Sequence, residues 1–164
     1  MNFRLVTSFI LTALLVAPVV STAHEGKHPS AMSGDAITKQ AQPAVEVVAQ
    51  FSAALQAGDL QRIGSLLADD VLILENGSAE RSREEYLSGH ATHDAAFLKT
   101  AHTQVMQRTA RAEGDLAWVG TESELHTTKE GKPLTLLSTE TMVLKRGTQG
   151  WKIVHIHWSS RPKR

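Results

Sequence analysis

The chain has 164 residues, with 17 Lys+Arg balanced by 17 Asp+Glu and no cysteine. Balanced charge provides no field to draw it to nucleic acid or anionic lipid. The missing thiols exclude disulfides, thiol chemistry and Cys-ligated zinc, so the chain must be held by an apolar core, aided by oligomerisation if at all.

Residues 1–23 read as a secretory signal. Arg4 is the positive start, Leu5–Ala17 an apolar run too short to span a bilayer comfortably, and Ser21-Thr22-Ala23 a small-x-small cleavage site. The reading places the mature chain, from His24, in the periplasm or outside the cell, with no stable membrane association. Residues 24–42 are rich in Gly, Ser, Pro, Lys and Gln without apolar period, and are expected to be a flexible polar tether.

A domain is expected over residues 43–160. Pro43 suits a first helical turn, and Val48, Phe51 and Leu55 form an apolar stripe that Gly58 ends. Asp59 is a helix cap for a second helix with Leu60, Ile63, Leu66 and Leu67 buried. Val71–Glu75 is a strand closed by Asn76-Gly77, and Ser82 with Glu85 makes a capping box that opens a third helix, stopped by Gly89. His90-Ala91-Thr92-His93-Asp94 is read as a loop at a pocket mouth. Four strands follow, Thr103–Arg111, Leu116–Thr128, Leu134–Lys145 and Trp151–Ser159, joined by short turns and therefore antiparallel. Residues 161–164 form a basic tail. Helices first and sheet afterwards predict an α+β fold, three helices on one face of a curved antiparallel sheet.

The end of the chain carries a resemblance. Ser138-Thr139-Glu140-Thr141-Met142-Val143-Leu144, then Trp151, Val154-His155-x-His157-x-Ser159, is similar to the close of the calcium/calmodulin-dependent kinase II association domain. With the element order, it resembles the nuclear-transport-factor-2-like superfamily, whose members include SnoaL-like cyclases and ketosteroid isomerase-like enzymes. The resemblance implies a cone with one pocket. Where the association domain places cavity arginines, this chain has Glu122, Met142 and Trp158, so an anion-binding cup is not implied.

Alternation along the strands nominates the site. The even-numbered face of the last two strands, with Glu140, Met142, Val154, Ile156 and Trp158, is the more apolar and is assigned to the pocket. Glu140 there is either a general acid or base of raised pKa, or a structural acid paired with Arg108, Arg111 or Lys152. Trp118 and Glu122, sharing a face with Glu124 and His126, are further pocket candidates, with Glu122 a possible base, or else this face is a solvated rim. Tyr86, the only tyrosine, is a packing residue or a donor to an oxyanion.

His155 and His157 lie two apart on the other face, with Trp151 and Ile153. They are expected in a homodimer interface, and could otherwise be two ligands of a metal ion. His24, with its α-amine and with His28 nearby, is a candidate Cu(II) chelate, so copper or zinc are the only cofactors considered. Three functions remain open: a dimeric domain binding a small, partly apolar molecule, an isomerase, dehydratase or cyclase using a buried Glu, and periplasmic metal handling.

Overall fold

The computed structural model describes residues 36–164. The signal, His24, His28 and most of the tether lie outside them. Helix α1 (Gln42–Ala57) has Pro43 in its first turn and ends on Gly58, whose φ of 73° is the left-handed conformation that glycine tolerates. Asp59 caps α2 (Leu60–Leu66) by accepting from the Arg62 N–H at 2.9 Å. Strand β2 (Leu67–Glu75) turns through Asn76 and Gly77, both at positive φ, into a short β3 (Ser78–Glu80). Ser82 accepts from the Glu85 N–H at 3.1 Å and opens α3 (Arg83–Ser88). Glu85 returns to the Arg81 N–H at 2.7 Å, one residue earlier than a capping box requires.

The segment expected to be a loop is a fourth helix, α4 (His90–Thr100). Its apolar stripe is made of small residues: only Ala91 and Ala95 are buried, one turn apart. The meander follows as β4 (His102–Glu113), β5 (Leu116–Lys129), β6 (Lys132–Gly147) and β7 (Gly150–Pro162).

The fold is α+β, a cone of helices on a curved sheet. With β1 (Ala36–Ile37), the sheet among the described residues has the order β1-β4-β5-β6-β7-β2-β3. The meander is antiparallel, but β2 joins β7 and β1 joins β4 in parallel. Parallel pairing is possible because a crossover of helices or the whole meander separates each pair. Two expected boundaries move. Residues 36–41, placed in the tether, form β1 and a 3-10 turn that buries Ala41. The basic tail begins inside β7, and Lys163 is held by the Thr135 carbonyl at 2.8 Å and by Glu124 at 2.6 Å.

A bulge in β7 redistributes its faces. Val143 pairs with His155 but Leu144 with Ile153, leaving Val154 as the extra residue. Ile153, fully buried, and Trp151 therefore point to the helices with Leu144, not outward with His155 and His157. Strict alternation had put them with the histidines. Phe51 and Val48 of α1, Ile63 of α2 and Tyr86 of α3 close the core over this inner face.

Candidate active site

The strand registers stack the inner face into transverse rows, one residue per strand. The first, Ile73–Ile156–Met142–Val119–Ala110, is almost wholly buried and is the core under the helices. The next is Glu75–Trp158–Glu140–Thr121–Arg108, an acid, an indole, an acid, a hydroxyl and a guanidinium side by side. The one after it carries Ser160, Ser138 and Ser123 on β7, β6 and β5, and the last brings Leu136 beside Leu125. Adjacent strands are about 4.8 Å apart, so the polar row spreads its charges over most of the sheet's width.

A cavity of about 640 Å³ opens over these polar and serine rows. Phe51, Ser52, Leu55 and Gln56 of α1 and His93, Asp94, Phe97 and Leu98 of α4 form its other wall. Both walls mix apolar side chains with a few polar groups, the usual character of a small-molecule site.

Glu140 stands at the centre of the polar row. Trp158 Nε1 donates to its Oε2 at 2.8 Å, Thr121 also hydrogen-bonds to it, and Arg108, whose Nε donates to Thr121 Oγ1 at 3.2 Å, adds a cation nearby. Burial nevertheless dominates and raises the Glu140 pKa above the carboxylate range, against the pull of Trp158, Arg108 and Thr121. The two sequence-based readings of Glu140 thus meet. It belongs to a network that includes Arg108, and it lines the cavity with a raised proton affinity.

A second acidic corner is made by Asp94 of α4 and Glu75 of β2. Tyr86, fully buried, donates to Asp94 Oδ2 at 2.9 Å. Burial raises the Asp94 pKa, while the Tyr86 hydroxyl, His90 and His93 pull it back. Glu75 is raised by burial first and by the Asp94 charge second. Behind them the buried Glu80 pairs with the half-exposed His90, which lifts the His90 pKa. Burial and the Asp94 charge push the Tyr86 phenol far above its ordinary value, so Tyr86 stays protonated and serves as a donor. Trp158 joins the two corners: its ring stacks on Phe51 at 6.3 Å and 27° and lies 6.4 Å from Tyr86, while its N–H holds Glu140.

Of the residues nominated from sequence, Glu140 and Trp158 line the cavity. Met142 and Ile156 lie one row deeper, sealed in the core. Tyr86 reaches the cavity only through Asp94. Trp118 and Glu122 are corrections: both are exposed on the outer face, because the buried residues of β5 are the odd-numbered Ala117, Val119, Thr121 and Leu125. Their distance from the helices removes them from the cavity floor. His155 and His157 are also on the outer face; His155 Nδ1 is 2.9 Å from the Leu72 carbonyl oxygen and His157 is exposed. Among the described residues no three His, Cys, Asp or Glu side chains are grouped to hold a metal ion. Glu75 and Asp94 were missed as site residues. Glu75 was legible, since it alternates onto the same face as Val71 and Ile73; Asp94 required knowing that its segment is a helix.

The SnoaL-like domain family matches residues 45–162. The chain belongs to this SnoaL-like family. A candidate ketosteroid isomerase of Shewanella frigidimarina is 36% identical over 76% of this chain and 100% of its own, with a TM-score of 0.71. A candidate calcium/calmodulin-dependent protein kinase II association domain of Xanthomonas campestris is 22% identical over 76% of this chain and 89% of its own, with a TM-score of 0.60. The corresponding kinase hub of S. rosetta is 20% identical over 73% and 95%, with a TM-score of 0.61. The last two share the fold of this SnoaL-like chain. No curated protein matches it significantly.

Proposed function

We propose that this SnoaL-like chain is an exported, dimeric domain that binds a small, partly apolar molecule between its helices and its sheet. The observation that carries the reading is the cavity, with Phe51, Leu55, Phe97 and Leu98 on the helix wall and a polar row and a row of serines on the sheet wall. Binding of Nile red, a neutral apolar dye, tests it. The dye should bind saturably with a blue-shifted emission, and Ser138→Trp, which fills the floor, should abolish this. Equal binding by the variant would place the site elsewhere. Export rests on the N-terminal sequence, and sequencing the secreted form should find His24 first. The dimer would use the outer sheet face, where one row runs Leu72–His155–Val143–Trp118 and leaves Leu72 and Trp118 exposed. Sedimentation velocity of Val143→Glu should then report a monomer.

A second reading is favoured by Glu140 and Asp94 lining one cavity, both with raised proton affinity. A carboxylate of raised pKa can take a proton from the carbon between a carbonyl and an alkene and return it at the far alkene carbon. The relative from Shewanella bears the name of such an isomerase. Conversion of a β,γ-unsaturated ketone to its conjugated isomer, followed by absorbance, tests this. Activity that survives both Glu140→Gln and Asp94→Asn would rule it out.

A further inference from the structure

The two acidic corners differ in what neutralises them. Glu140 has a complete set of partners: an indole N–H, a hydroxyl and the Arg108 guanidinium in the same row. Glu75 and Asp94 do not. Asp94 Oδ2 takes the Tyr86 hydroxyl and Glu75 Oε1 takes the Asn76 amide at 3.3 Å, both neutral donors. Their other oxygens accept no hydrogen bond among the described residues. His90 lies near enough to lower the pKa of both acids, but its hydrogen bond goes to Glu80. His93 also stands on this part of the wall, and it makes no hydrogen bond to either acid among the described residues. Beside the corner are two aromatic rings, Trp158 on the wall and Phe97, 38% exposed, towards the opening. The serines between the corners are neutral.

From this arrangement we infer that the ligand is an organic cation, an amine on an aromatic or otherwise apolar body, with its ammonium group between Glu75 and Asp94. The inference rests on the cavity being the ligand site and specifies which chemistry it takes. An ammonium supplies N–H donors to the two free carboxylate oxygens and relieves the repulsion between the acids. The aromatic walls attract the same charge through their π-faces. The serine row accommodates polar atoms of the body without adding charge. A carboxylate ligand at this corner meets the reverse situation, because the one guanidinium lining the cavity among the described residues, Arg108, lies beside Glu140 and is hydrogen-bonded to Thr121.

Displacement of Nile red by three compounds with the same ring tests both layers. Tryptamine is a cation, tryptophol is neutral and indole-3-acetate is an anion. Tryptamine should displace the dye at a concentration at least about tenfold below tryptophol, as for hydrogen bonds between charged groups, with indole-3-acetate weakest. Glu75→Gln with Asp94→Asn, which keeps acceptors for Tyr86 and Asn76, should erase the preference while the dye still binds. Glu122→Gln on the outer face should leave it intact. If the dye never binds, the cavity reading itself fails and takes the inference with it. If the dye binds but tryptophol or indole-3-acetate equals tryptamine, or none displaces it, the cavity reading stands and the cation is wrong. A preference that persists in the double variant would refute the Glu75–Asp94 position.

Discussion

The two acidic corners of the cavity are built by different means. Glu140 is held by strands: its partners Trp158, Thr121 and Arg108 are its neighbours in one register row, so the pairing of β4 to β7 assembles them automatically. Asp94 and Glu75 are brought together by α3, which packs against both β2 and α4, with Tyr86 as the connecting side chain. A register row gives each group a set partner about 4.8 Å away, so its charge can be balanced internally. A helix packed over a strand leaves a gap, and acids facing a gap are left for something else to neutralise. The contrast teaches where a ligand's charge belongs.

Trp158 touches both corners, and its loss should have the largest effect. Trp158→Ala removes the ring between Phe51 and Tyr86 and the donor to Glu140, and should cost about 3 kcal/mol in urea unfolding. Trp158→Phe keeps the ring and should recover more than half of that. If Phe proves no better than Ala, the N–H to Glu140 matters more than the packing.

The next effect is on pH dependence. Glu75, Asp94 and Glu140 all bind their proton more tightly folded than unfolded. Such groups contribute stability below the ordinary carboxylate pKa and lose it as pH rises from there through the folded values. His90, also raised, contributes below 6.5 and loses its share as pH rises through its folded value. Stability should therefore decline from mildly acidic towards alkaline pH. Glu140→Gln should flatten the lower part of that decline, and His90→Gln the upper part only. Stability rising over the same range in wild-type protein would contradict both corners.

Tyr86→Phe separates the corners further. It should cost about 1 kcal/mol, for one buried hydrogen bond, and raise the Asp94 pKa while leaving the Glu140 part of the pH profile unchanged. A change in the Glu140 part would mean that Trp158 couples the two. The smallest effect belongs to the outer face. Trp118→Ala should change monomer stability by no more than about 0.5 kcal/mol, and dye binding not at all. A larger loss of unfolding stability, increasing with protein concentration, would show that Trp118 is covered by a second copy.

The sequence by itself determined the elements and most of their ends. Gly58, Asp59, Asn76-Gly77 and Ser82 act through local sterics and hydrogen bonds, which hold wherever the segment sits in the fold. Alternation also assigned Glu140 and Trp158 to the cavity side, because period two is a property of one strand alone. It misassigned Trp151 and Ile153 because a bulge at Val154 breaks the period, and the bulge comes from pairing with β6 rather than from the residues of β7. It left Trp118 and Glu122 open between pocket and solvated rim, because the choice of face depends on which side the helices cover. The helix at His90–Thr100, lacking a stripe of large apolar residues, became recognisable only once Ala91 and Ala95 were packed. Tertiary structure alone decided the row that sets Glu75, Trp158, Glu140, Thr121 and Arg108 side by side. These residues come from five strands, and only inter-strand register, a non-local quantity, brings them together.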